Sequence, residues 1–245
     1  MHAATIGTGA AFGAARARRG LPPAAPAWWL GRLGRATPRF LDLAAGLGVP
    51  AGGVAGDLAA VEAALTGTLV GLVHGDPCPD NTVLAGGRCR LIDFERAGAG
   101  SVALDLGYLL APFPSCWCFG RLPADLAGAA VGAYEEVLTG AGVDLGDDWD
   151  RALAAALGLW AAARIVDVAD RADDPVWGTT TRRPRLAAWT ASFLAAPAAG
   201  ELPHLVAAVG RWRDRAGLDG VAVPDYPALA AAGAPVGQAP EGWSP

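Results

Sequence analysis

Carboxylates and an amide crowd into "HGDPCPDNTVLAGGRCRLIDFE", residues 74–95, at spacings that suit the transfer of a phosphate group. Asp76 follows an apolar run, on a loop where a carboxylate can accept the proton of an attacking hydroxyl. General-base help of this kind contributes about 10²–10⁴-fold to a rate. Asn81 and Asp93 offer an amide oxygen and a carboxylate. Mg²⁺ is a hard cation that takes few such ligands from protein, keeping the rest of its shell for water and substrate phosphates. Positioning and charge neutralisation by a metal supply much of the remaining acceleration in phosphoryl transfer. Pro77 and Pro79 each fix a φ angle and stiffen the loop.

The elements around this stretch must hold those groups in place. "TLVGLV" reads as a short strand running into His74, and "NTVL" and "RCRLIDF" as strands of a hairpin turning at Gly86-Gly87. Asn81 and Asp93 are twelve apart, so they face each other only across a loop with an odd number of residues. The metal reading therefore predicts a three-residue loop, Gly86-Gly87-Arg88. A two-residue Gly-Gly turn would leave the pair on opposite faces unless the strand ends deviate.

The rest of the chain reads as helix. Trp29, Leu30, Leu33, Phe40, Leu41 and Leu43 follow a helical stripe that Gly46–Pro50 stops. A second short helix is expected over about 57–65, with Asp57 as its cap. Later helices are expected over roughly 103–111, 121–139, 148–169, 182–196 and 202–216. Residues 1–26 have no sustained period and end in the linker-like "LPPAAP", so poor order is expected there. The tail, 218–245, reads as irregular, which leaves 27–217 as the folded domain. The fold class is α+β, mainly α-helical, with a small catalytic β-hairpin.

"HGDPCPDN", then "LIDFE", then "SVALDLGYLL" together resemble the aminoglycoside phosphotransferase/choline kinase family, whose members use ATP to phosphorylate small-molecule hydroxyls. The resemblance implies the C-terminal lobe of a protein-kinase-like fold, with Mg²⁺ and ATP as cofactors. It implies Asp76 as catalytic base, Asn81 and Asp93 as magnesium ligands, His74 as a brace for the loop, and Asp105 as support from the helix behind. No residue is assigned to the nucleotide. In the family, an N-terminal β-lobe covers the ATP phosphates and supplies a lysine. This sequence has no lysine, and its first residues lack alternating β-formers, so the likeness is to a C-terminal lobe with the N-terminal lobe missing. A gene model that starts too late, a shortened inactive relative acting as a small-molecule binding module, and an enzyme gripping phosphate by other means all remain open. A metal hydrolase built on His74, Asp76 and Asp93 is a further reading, against which Asn81 stands at the family's spacing.

Composition narrows the classes. All 19 basic residues are arginine and the net charge is −5, which gives no basic stripe for a nucleic-acid backbone. Cys78, Cys89, Cys116 and Cys118 lack the two paired spacings of a thiolate zinc site and read as reduced buried thiols, consistent with the cytoplasm. The opening lacks a basic n-region, and the most apolar stretch, 152–169, is interrupted by Arg164 and Asp167, so a soluble protein is expected. Asp80 reads as a turn former, Glu95 as solvated, and Trp117, Trp160 and Trp189 as core. Nothing after residue 111 specifies the acceptor, and the oligomeric state is left open.

Overall fold

The computed structural model describes residues 1–20, 28–169, 174 and 176–230. Where an irregular opening was expected, the chain forms two helices, α1 (His2–Thr5) and α2 (Gly9–Arg18). Alanine and arginine dominate α2, so propensity suffices without an apolar stripe, and none of its residues is buried. The opening is also tied down: Gly7 N donates to Val70 O at 3.0 Å and Leu72 N to Thr5 Oγ1 at 3.0 Å. The linker at 21–26 lies outside the described residues, as does the side chain of Leu30.

The expected stripe forms α3 (Trp28–Gly46), which buries Trp29, Leu33 and Phe40. The next helix, α4 (Ala51–Gly67), starts before Asp57, which is therefore not its cap. Asp57 serves another helix instead. It accepts Leu205 N at 2.7 Å in the first turn of α9 (Pro203–Arg215), where a negative charge meets the positive end of the helix dipole.

At the centre is α7 (Asp148–Val168), apolar nearly all round and buried from Trp149 to Val166 along most of its length. Around it pack α3, α4, α5 (Ala103–Leu110) and α8 (Arg182–Leu194). A smaller cluster joins Val102, Leu106, Trp149 and Leu153 to Leu138 of α6 (Ala124–Gly140). No helix among the described residues is long and apolar enough to cross a membrane. The tail is irregular up to α10 (Pro227–Ala230), with Tyr226 N bonded to Arg121 O at 3.0 Å, and 231–245 lie outside the described residues.

Two small antiparallel sheets complete the fold. β1 (Val70–Val73) pairs with β4 (Gly98–Ser101), and β2 (Thr82–Ala85) with β3 (Arg88–Leu91). The hairpin register, Ala85 opposite Arg88, closes on Gly86-Gly87 alone, which corrects the three-residue loop expected from sequence. Both glycines take positive φ, 57° and 69°, as the two-residue turn that matches strand twist requires.

Two further expectations are corrected. Cys78 and Cys116 are joined in a disulfide, because the chain after α5 folds back over the loop that follows β1. The argument from reduced buried thiols to a reducing compartment thus keeps only Cys89 and Cys118, of which Cys89 is exposed and Cys118 only half-buried. Trp160 and Trp189 are core, but Trp117 is 42% exposed and donates its indole N–H to Asp80.

Candidate active site

The loop after β1 is held from behind by one buried carboxylate. Asp105, in the first turn of α5, accepts His74 N at 2.7 Å and Gly75 N at 2.9 Å. Its Oδ2 also meets His2 Nε2 at 2.9 Å, and Tyr134 Oη lies 2.6 Å from the other ring nitrogen. Burial and the Asp105 charge push the Tyr134 phenol well above its ordinary range, so it stays a donor. Gly75 is dictated twice over: its φ is +80°, and a Cβ there would stand 2.6 Å from Arg96 O.

His74 is fully buried. Its Nε2 bonds Ile92 O at 2.8 Å, and its Nδ1 accepts Asp76 N at 3.3 Å, which assigns the proton to Nε2. The imidazole therefore ties the loop to the end of the hairpin.

Asp76 is surrounded by donors. Its Oδ1 accepts Tyr108 Oη at 2.7 Å and Ser115 Oγ at 2.6 Å, while Oδ2 accepts Arg96 Nη1 at 2.7 Å. A carboxylate offers about four lone-pair sites, so one on Oδ2 remains for an incoming hydroxyl. Burial, with the neighbouring Asp76 charge, raises the Tyr108 phenol far beyond its ordinary value and keeps it protonated. Arg96 is itself fixed on its far side, 4.9 Å from the centre of the Trp28 ring.

Asn81 donates Nδ2 to Asp76 O at 2.9 Å, which leaves its Oδ1 without a protein partner among the described residues. The carboxylate of Asp93, exposed at the far end of the hairpin, likewise accepts nothing from the described residues. Asn81 lies opposite Ile92 rather than Asp93, with Ile92 N bonded to Asn81 O at 2.9 Å. Asp93 then leaves the ladder in a left-handed conformation, φ 61° and ψ 61°, so strand alternation does not extend to it. Oxygen donors without protein partners are the chemistry a hard divalent cation takes, and the Asn81 and Asp93 side chains fit Mg²⁺ in that respect.

Sequence reasoning missed the three residues that grip Asp76. Arg96 stands three positions after Asp93, and Tyr108 three positions after Asp105 on the same helix, where i and i+3 share a face. Tyr108 was recoverable from that spacing, whereas Arg96 follows Asp93 through a short 3-10 turn and bonds Asp76, which its spacing from Asp93 does not indicate. Ser115 carried no signal, since its place depends on the chain folding back after α5. Glu95 is exposed and lies 3.7 Å from Arg96, and Asp80 is occupied by Trp117.

The family model of the phosphotransferase enzyme family matches residues 3–153. No curated protein matches the chain. The matched span holds His74, Asp76, Asn81, Asp93 and Asp105 together with Arg96, Tyr108 and Ser115, and it begins within α1, in the stretch where the sequence showed no pattern. The chain belongs to the phosphotransferase enzyme family.

Proposed function

We propose that the protein is an ATP- and Mg²⁺-dependent phosphotransferase acting on a hydroxyl of a small molecule, built on the C-terminal lobe of a protein-kinase-like fold. The observation that carries this reading is Asp76: a carboxylate with one open lone pair, on a loop pinned by Asp105 and His74 and bonded through its backbone to Asn81, while the side-chain oxygens of Asn81 and Asp93 have no partner among the described residues. The acceptor hydroxyl gives its proton to Asp76 Oδ2 as its oxygen bonds the terminal phosphorus of ATP. The bond from that phosphorus to the ADP oxygen breaks, and Asp76 later returns the proton to solvent. Arg96, Tyr108 and Ser115 fix the carboxylate's orientation throughout. Asn81 and Asp93 would hold Mg²⁺, which when bound would neutralise phosphate charge. With ATP as donor, the proposed setting is the cytoplasm, and the proposed partner is a small molecule, not nucleic acid or membrane.

A second reading, a lobe-only relative that binds a small hydroxyl compound without catalysis, is favoured by the three donors already on Asp76. Incubating the purified chain with ATP, Mg²⁺ and a panel of hydroxyl compounds separates the two. Magnesium-dependent ADP release supports the enzyme; binding of a hydroxyl compound with no nucleotide requirement and no turnover supports the module. Turnover that appears only after upstream coding sequence is restored supports a truncated form, in which the phosphate-binding cation lies outside this chain.

A further inference from the structure

A covalent bond crosses the candidate site. Cys78 lies between Asp76 and Asn81, and its backbone bonds both: its N–H donates to Asp76 O at 2.7 Å and its carbonyl accepts Asn81 N at 2.8 Å. Its sulfur is joined to Cys116, whose chain neighbour Ser115 donates to Asp76 Oδ1 at 2.6 Å. The disulfide thus ties the middle of the loop to the segment that returns over it, next to the carboxylate that both serve. Weaker contacts hold the rest of that segment. Arg185 donates to the carbonyls of Cys116 and Trp117 at 2.8 and 2.9 Å, and Trp117 Nε1 donates to Asp80 at 2.9 Å. Ser115 Oγ also lies 2.9 Å from Tyr108 Oη, so without the covalent tie it has a second partner to turn to when it leaves Asp76.

Both cysteines are buried, but their cover is thin. Asp80 Oδ1 lies 3.5 Å from Cys116 Sγ, and Asp80 and Trp117 are themselves exposed, so a local opening at the surface brings a thiol to the bond. With ATP as donor the proposed setting is the cytoplasm, where thiol reductants hold most cysteines reduced and the disulfides that do form are mainly catalytic or redox-sensing. Cys89 and Cys118 remain thiols, so pairing is confined to the two cysteines at the site.

We propose that Cys78 and Cys116 form a redox control point for Asp76, in which the disulfide form is the competent one and reduction lowers turnover. The proposal rests on the phosphotransferase reading for the effect on turnover, but not for the reversible tie itself. In the reducing direction a dithiol supplies the electrons. One of its thiolates attacks a sulfur of the pair, forming a mixed disulfide and releasing the other cysteine as a thiolate; its second thiolate then displaces the remaining cysteine, both cysteines take up protons, and the reductant leaves as its own disulfide. In the oxidising direction hydrogen peroxide converts one thiol to a sulfenic acid and releases water, and the second thiol condenses with it, closing the S–S bond and releasing a second water.

The test equilibrates the full chain in native buffer with mixtures of reduced and oxidised dithiothreitol. Mass spectrometry of peptides joining Cys78 to Cys116 reads the bond, amide hydrogen exchange reads the order of residues 74–81, and ADP release with ATP, Mg²⁺ and a panel of hydroxyl compounds reads turnover. Reduction is expected to leave the chain folded by circular dichroism, to raise exchange over 74–81 by about tenfold or more, and to lower turnover by about tenfold or more, since small misplacements of reacting groups cost up to about 10²-fold. Hydrogen peroxide, added after the dithiothreitol is removed, is expected to restore both. A bond that forms in no mixture, that resists reduction while the chain is folded, or whose loss unfolds the chain overturns the proposal, as does turnover that reduction leaves unchanged or raises. Cys116→Ala is expected to stay at the reduced level in every mixture, whereas Cys89→Ala keeps the wild-type response; a Cys116→Ala chain that still responds overturns the pair. Should that variant not fold, the wild-type titration decides. A bond and exchange pattern that respond reversibly, with no turnover in any mixture, sink the phosphotransferase reading and leave the tie standing, whereas turnover indifferent to the bond does the reverse.

Discussion

The loop that carries Asp76 and the hairpin that carries Asp93 differ in how they are held. The backbone N–H groups of His74, Gly75 and Asp76 at the head of the loop are all bonded, two to Asp105 and one to the His74 ring. The hairpin is a pair of four-residue strands whose Val83 and Leu84 are exposed, Leu84 by 79%, with Ile92 and Phe94 just beyond β3 exposed as well. A two-stranded hairpin without a packed face is marginally stable by itself. The proposed proton acceptor is thus preorganised by the fold, while one of the two proposed metal ligands follows a hairpin expected to open at low cost. Stability and catalysis should separate along this line, and mutations can measure whether they do.

The largest effect is expected at the buried support. Asp105→Ala strips His74 N and Gly75 N of their acceptor, and each buried N–H left unpaired costs about 1–3 kcal/mol. A loss of about 3–5 kcal/mol in unfolding free energy is expected by urea denaturation, and a loss under 1 kcal/mol would show that the loop does not depend on this carboxylate. Asp76→Asn keeps the shape and two hydroxyl donors but removes the proton acceptor. Turnover should fall by about 10²–10⁴-fold with unfolding free energy changed by roughly 1 kcal/mol; retained turnover would end its role as base.

The same division explains what was legible in the sequence. Helices with apolar periodicity, such as α3, and the buried α7 appear close to their expected bounds, because the burial that stabilises them is written in residue order. The loop residues were legible because their types are chemically special. What the sequence hid was set by contacts between distant segments. Asp57 looks like a local cap but caps α9, and Ser115 reaches Asp76 only because the chain returns across the loop. Cys78 and Cys116, far apart in sequence, meet for the same reason. The hairpin misled differently: the odd loop followed from assuming that Asn81 and Asp93 obey strand alternation, whereas Asp93 leaves the ladder in a left-handed conformation.

Smaller effects are expected on the hairpin, and they sharpen the contrast. A methyl group at Gly86 meets nothing within 4 Å, so Gly86→Ala costs only the left-handed φ of 57°, about 1 kcal/mol. Because the hairpin opens by itself, that loss should appear as faster hydrogen exchange of the β2 and β3 amides, with the global unfolding midpoint unmoved. A shifted midpoint would mean that hairpin and helices unfold together. Leu84→Ser is the smallest case: the side chain is already in solvent, so a change within about 0.5 kcal/mol is expected. A loss above 1 kcal/mol would place Leu84 in a packed interface in solution. The hairpin would then be held as firmly as the loop, and both sides of the site would be preorganised.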